Sequence, residues 1–196
     1  MKNCSIFILF YLVFAGNVHA QNFDVRMLKT INPQYPNAEV WRISSGSIYW
    51  TTGGVTLGTL AYGFIANDKN MRQNGYELLT TIGINEGATF LLKSIVRRTR
   101  PYEKYPGEIF ARSYAKDKSF PSGHTSTAFS TATTLALMYH KWYVTTPAFM
   151  WAACVAYSRM YLGKHYPSDV LAGAIIGAGS SFLGHAISLK FYRQKK

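Results

Sequence analysis

Helix-length apolar segments separated by short polar turns dominate this chain, and no stretch shows the sustained apolar–polar alternation of a half-buried strand. The segments fall at 47–66, 77–95, 125–139, 146–161 and 167–189. Apolar helices with no sheet to cover must pack on one another, so the fold expected is all-α, a bundle of about five or six helices. A length of 196 residues is enough for one domain with its own core. The stretch 47–66 is long enough to cross a bilayer despite Gly53, Gly54 and Gly58, and Gly173 and Gly177 have the four-residue spacing that lets helices approach closely. Asn85-Glu86-Gly87 interrupts the apolar spacing of 77–95, and in a bilayer Glu86 would face inward beside a lysine or arginine. A membrane-embedded bundle is the expectation. The mean hydropathy of −0.03 is low for six spans, which keeps a soluble exported bundle as the alternative.

The amino terminus adds a compartment. Lys2, the apolar run Ile6 to Ala15 and the small-residue end Val18-His19-Ala20 read as an export signal, so 1–20 is a signal peptide or a retained first transmembrane helix and 21–196 is the domain proper. Residues 21–46, with Asn32-Pro33 and Tyr35-Pro36-Asn37, read as a loop or short surface helices. Cys4 would leave with the signal and Cys154 has no partner, so no intrachain disulfide is expected.

The chemistry is concentrated between Lys93 and Asp169, in three short clusters. The first holds Lys93, Arg97, Arg98, Arg100 and Pro101; the second is Pro121-Ser122-Gly123-His124; the third is Ser158-Arg159 followed by His165 and Asp169. Guanidinium and ammonium groups neutralise oxyanions, and imidazole serves as nucleophile or general acid near neutral pH, so the set suits holding and transferring a phosphoryl group. Ser122 suits a helix N-cap, and the amides of Gly123 and His124 would then open a helix toward an anion. Pro167 suits the first position of another helix, which puts His165 just before it and Asp169 in its first turn. There Asp169 could accept a hydrogen bond from one imidazole nitrogen and leave the other free. Lys93 and Arg100 are about two turns apart and would share a face if the helix persisted, although Pro101 predicts a stop just before Arg100. Taken singly, each cluster has a plain alternative: a basic surface patch, a loop-to-helix junction, a dipole-complementing aspartate.

In order and spacing the three clusters resemble the tripartite signature of the type 2 phosphatidic acid phosphatase superfamily: Lys, six residues, Arg-Pro; Pro-Ser-Gly-His; Ser-Arg, five residues, His, three residues, Asp. The resemblance implies an all-helical phosphatase, usually without a metal, that works through a phosphohistidine. By that likeness His165 attacks phosphorus, Asp169 orients it, and His124 protonates the departing oxygen and later activates water. Lys93, Arg100 and Arg159 would clamp the oxyanions with Ser122 and the Gly123 amide.

The net charge of +12 favours anionic partners. With the resemblance, the expected partner is a phosphorylated lipid rather than nucleic acid: undecaprenyl diphosphate, phosphatidic acid, phosphatidylglycerol phosphate or lipid A. The expected location is a bacterial inner membrane with the site facing the periplasm. A soluble periplasmic nonspecific acid phosphatase, a vanadium-dependent haloperoxidase and a non-enzymatic basic membrane module are the alternatives. Neither a cofactor nor a metal centre is expected, because no Cys/His/Asp cluster has metal-ligand spacing. The residues leave the oligomeric state open.

Overall fold

The computed structural model describes residues 23–191, and the segment 1–20 expected to be a signal or first helix lies outside them. Every regular element among the described residues is a helix: α1 (23–31), α2 (Glu39–Ile65), α3 (Lys69–Val96), α4 (Pro101–Lys104), α5 (Gly123–Tyr139), α6 (Trp142–Tyr161) and α7 (Pro167–Phe191). The order explains where the chemistry lies. α2 and α3 form a hairpin, and α5, α6 and α7 run up, down and up again. The start of α2, the end of α3, the start of α5, the end of α6 and the start of α7 therefore meet at one end of the bundle. The three sequence clusters all sit at those termini or in the loops that join them.

Several boundaries differ from the sequence expectation. Residues 21–46 hold one short helix, at 23–31, as one of the two readings of that stretch allows, but α2 begins at Glu39 rather than Ser47. Asn85-Glu86-Gly87 does not interrupt α3, which is continuous from Lys69 to Val96. The polar side chains there are satisfied across the bundle: Asn85 accepts from the Ser126 hydroxyl, and Thr127 donates to Glu86 at 2.6 Å. Glu86 thus meets a threonine and not the lysine or arginine expected. α3 starts on Asp68, whose carboxylate takes the amides of Asn70 and Met71 at 2.8 and 3.1 Å, a capping arrangement typical of helix starts. It ends on Arg97 in the left-handed region, φ 49°, so the helix stops three residues before Arg100, and Lys93 and Arg100 do not share a helical face.

α5 is the central helix, packed on α7, α6 and α3. Its inward positions are small: Ala128 and Ala132 join Ile48, Ala152 and Val155 in one apolar cluster, and Ser126, Ser130, Thr131 and Thr134 are also buried. Gly173 and Gly177 of α7 lie directly on α5, where a Cβ at either position would collide with the carbonyls of Ser122 and Ser126. Large apolar side chains point outward instead, among them Trp50, Leu57, Phe90, Leu171, Ile175 and Phe182. A small, partly polar interior beneath a coat of leucine, isoleucine and aromatics reverses the usual soluble pattern and is the arrangement helices take in lipid. Among the described residues, α7 is the one helix whose length and composition together suit a membrane crossing. At the site end, Val25 and Leu28 of α1 pack with Tyr102, Ile109 and Tyr166 as a second apolar cluster that closes over the loops.

Candidate active site

The third cluster lies at the centre of the site. His165 is 2% exposed, held in the short turn between α6 and α7. Its Nδ1 lies 2.7 Å from the Ser119 carbonyl oxygen and its Nε2 lies 3.3 Å from Arg100 Nη1. A carbonyl only accepts and a guanidinium only donates, so the two neighbours assign the tautomer: the proton is on Nδ1 and Nε2 carries a lone pair. Burial lowers the His165 pKa to about 3, against the pull of Asp169, and the positive charges of Arg159 and Arg100 act in the same direction as burial. The imidazole is therefore neutral at physiological pH.

Asp169 is fully buried in the first turn of α7, but its oxygens are already engaged. Oδ1 accepts from Arg98 Nη1 at 2.6 Å, and Oδ2 accepts the Ser119 hydroxyl at 2.5 Å and the Tyr166 amide at 3.0 Å. The last contact is a carboxylate reaching back to the amide before its own helix, the acidic half of a capping box. From there Oδ2 is 3.7 Å from His165 Nδ1, beyond hydrogen-bond reach. The sequence reading had Asp169 accept the imidazole proton directly; in the structure the Ser119 carbonyl takes it, and Asp169 anchors the serine that supplies that carbonyl.

Arg98, a member of the first cluster to which the sequence assigns no role of its own, turns out to be the hub behind His165. Its guanidinium joins Asp169 to Asp24 of α1 at 2.8 Å, donates to the Ser168 hydroxyl at 2.7 Å, and lies 3.8 Å over the Tyr166 ring. Asp24 in turn accepts the Ser168 amide at 3.0 Å, capping α7 from a residue 144 positions earlier. Asp24, Ser119 and Asp117 are the neighbours of the candidate site that the motif reading missed, and Arg98 has a place in it that the motif reading did not specify. The available signal was the need of buried guanidinium groups for carboxylates in a chain with few acids.

The cations converge from three elements. Arg100 is 2% exposed and spends its donors on the Lys164 carbonyl at 2.8 Å, the Asp117 carbonyl at 2.9 Å and the Asp117 carboxylate at 2.5 Å, besides His165. Lys93 reaches the same carboxylate at 3.0 Å. Burial raises the Asp117 pKa, but Lys93 and Arg100 outweigh it and bring it to about 2. Arg159 is buried at the end of α6; Nη1 donates to the Ser45 hydroxyl, while Nε is a buried donor without a partner. Beside them Lys164, drawn down to a pKa of about 8 by burial and then by Arg159 and Arg100, donates to Ser113 Oγ at 2.7 Å.

The second cluster faces a cavity. Ser122 is the N-cap residue of α5, as its sequence context predicts, but its hydroxyl pairs with Thr125 Oγ1 at 2.9 Å and no side chain caps the helix. Gly123 and His124 line a cavity of about 720 Å³ that continues between α2, α3 and α5 past Tyr49, Thr52, Gly53 and Phe90. The His124 ring meets the edge of Tyr49 at 5.5 Å. Lys93 and Asp117 also line the cavity, whereas Arg100, paired with Asp117, and His165 are buried. The structure thus brings Lys93, Arg100, Ser122, Gly123, His124, Arg159, His165 and Asp169 to one end of the bundle, with Asp169 one layer behind His165.

Known proteins resemble the chain in sequence and in fold. Over 121 residues the chain is 32% identical to an undecaprenyl-diphosphatase of Sulfolobus acidocaldarius, which covers 59% of the chain and 55% of that protein. It is 39% identical over 71 residues to a lipid A 4'-phosphatase of Bacteroides thetaiotaomicron, a match covering 36% of the chain and 32% of the relative. The matched stretches thus span about a third to about half of these relatives. The crystal structure of LpxE from Aquifex aeolicus superposes with a TM-score of 0.67 at 26% identity, covering 85% of this chain and 94% of that one. The PAP2 superfamily model matches residues 75–193, more than half of the chain and all three clusters, and the protein accordingly belongs to the PAP2 superfamily.

Proposed function

We propose that the protein is a phosphatase that removes a phosphoryl group from a membrane lipid through a phosphohistidine at His165. The observation that carries this is the state of His165: neutral, its proton tied to Ser119, its Nε2 lone pair turned toward Arg100. A nucleophile for phosphorus needs that lone pair beside cations that can take the oxygens.

The steps follow from the residues. The phosphoryl oxygens lie among Lys93, Arg100 and Arg159, whose unpartnered buried Nε is a donor awaiting an acceptor, and the uncapped start of α5 adds the Gly123 amide. His165 Nε2 bonds to phosphorus as the bond to the leaving oxygen breaks. Burial and the charge of Arg159 favour the neutral ring of His124 in the empty site, and the negative phosphoryl oxygens offset them, so His124 takes up a proton as substrate binds and, at the cavity wall, gives it to that oxygen. Water then attacks the phosphohistidine, His124 takes the water's proton, the P–N bond breaks, and orthophosphate leaves with His165 neutral again. Asp169 acts through Ser119 and the α7 terminus, stabilising the positive charge that the phosphorylated imidazole carries.

The lipid reading rests on the cavity, which runs from Lys93 and His124 along mostly apolar walls between helices whose outer surfaces are themselves apolar. That course suits an acyl or prenyl chain entering from a bilayer, with the site end at one membrane face and, given the amino-terminal pattern, outside the cytoplasm. Undecaprenyl diphosphate and lipid A phosphate, the substrates in the relatives' names, and phosphatidic acid or phosphatidylglycerol phosphate all carry the required group on such a chain. The test is phosphate release by the full chain in detergent micelles from each of these and from a soluble ester. Preference for the soluble ester would sink the lipid assignment. The His165→Ala variant should lose release and acid-labile phosphorylation together; an active alanine variant would refute the mechanism.

A further inference from the structure

The Asp117 carboxylate sits where the substrate's charge should go. It lies on the loop between α4 and α5, 2.5 Å from Arg100 Nη2 and 3.0 Å from Lys93 Nζ, and lines the cavity, whereas Arg100 and His165 are buried. A carboxylate bridging two cations of a proposed phosphoryl site is an anion occupying an anion seat. We propose that Asp117 is an internal competitor for the phosphoryl group, closing the Lys93–Arg100 seat in the resting enzyme, yielding it to substrate, and returning to expel orthophosphate. The inference rests on the reading that Lys93 and Arg100 receive the phosphoryl oxygens.

The contacts are divided in a way that permits this exchange. Arg100 is anchored by backbone atoms, Nε to the Asp117 carbonyl at 2.9 Å and Nη1 to the Lys164 carbonyl at 2.8 Å, and Lys93 also donates to the Lys118 carbonyl at 2.5 Å. Rotation of the Asp117 side chain alone releases Nη2 of Arg100 and a donor of Lys93 while those backbone contacts hold both cations in place. The side chain is 57% exposed, so it can swing into water with little packing to lose. A phosphomonoester carries up to two negative charges against the single charge of Asp117, so substrate wins the seat. The singly charged carboxylate remains a standing competitor when the product leaves. The low pKa of Asp117, about 2, keeps it ionised at working pH.

The alternative is that Asp117 is a brace that orders Lys93 and Arg100, and the two ideas predict opposite signs. Steady-state kinetics on a lipid phosphomonoester in detergent, with inorganic phosphate as the inhibitor, should compare the wild type with Asp117→Asn and Asp117→Ala. A competitor requires both variants to show a KM and a phosphate inhibition constant lowered about three- to tenfold, the range an exposed carboxylate's hold on two cations is worth, with kcat unchanged or reduced as phosphate leaves more slowly. Unchanged constants, or constants that rise, overturn the proposal and make Asp117 a brace. A wild-type chain that releases no phosphate overturns the phosphatase reading itself, and this inference with it. An active, phosphate-inhibited wild type whose variants do not bind phosphate more tightly overturns the competitor alone.

Discussion

Arg98 and Asp24 meet at 2.8 Å across 74 residues of chain, and through Arg98 the first described helix is tied to the carboxylate of Asp169, 2.6 Å from the same guanidinium. Neither Arg98 nor Asp24 faces the cavity. Both act on His165 through Asp169 and Ser119, which fix the carbonyl that holds the imidazole proton.

A network of that kind positions the proposed nucleophile without touching substrate. Asp24→Asn and Arg98→Lys should therefore lower kcat about 10- to 100-fold, the range that a small misplacement of a reacting group costs, with KM within about twofold. Steady-state kinetics on purified variants checks this. A rise in KM with kcat retained would place these residues in substrate binding instead.

The protonation state of His165 is equally open to measurement. Burial brings its pKa to about 3, far below the ordinary histidine range, so the ring should remain neutral as pH falls from 8 to 4. In nitrogen-labelled protein the His165 shifts should show Nδ1 protonated and Nε2 bare across that range. Titration near pH 6.5 would contradict the burial described for it, and a proton on Nε2 would overturn the tautomer set by Ser119 and Arg100.

The motif residues were legible in the sequence because side chains at helix starts leave local marks: Pro121-Ser122-Gly123 before α5, Pro167 opening α7, Gly173 and Gly177 where α7 lies on α5. Their gathering at one end was legible too, since helices that reverse direction return each cluster to the same face. What could not be read were partners supplied by backbone atoms or by remote chain. The acceptor for His165 is the carbonyl of Ser119, which any residue possesses, and Asp24 reaches Ser168 over 144 positions. Arg97 and Arg98 look alike in sequence. Only the left-handed turn at Arg97, φ 49°, sends its neighbour inward to Asp169.

The close approach of α5 and α7 gives a prediction about stability rather than chemistry. A side chain at position 177 would meet the Ser126 carbonyl, which belongs to helix backbone and cannot move aside without shifting the helix. Gly177→Val should destabilise the bundle by about 1–3 kcal/mol, the usual cost of overpacking, and displace the α5 start that carries Gly123 and His124. Thermal unfolding in detergent should show a lowered midpoint. Gly179→Ala on the same helix, where a Cβ meets nothing within 4 Å, should leave the midpoint unchanged or slightly raised.

The cavity yields the most direct test of what enters it. Gly53 lies on its wall in α2, and a Cβ there also meets nothing within 4 Å, so a large side chain can be accommodated without straining the helix. Gly53→Phe would occupy room that the proposed lipid chain uses, while leaving Lys93, Arg100, His124 and His165 untouched. For a long-chain lipid phosphate KM should rise about tenfold or more, equivalent to losing the burial of a few methylene groups. For a short soluble phosphate ester, which needs only the cations and histidines, kcat/KM should stay within about twofold. The difference between the two substrates is the informative quantity, because a misfolded variant loses both activities together. Equal retention of both would mean that the chain takes another path, and the space between α2 and α3 would no longer be its binding groove.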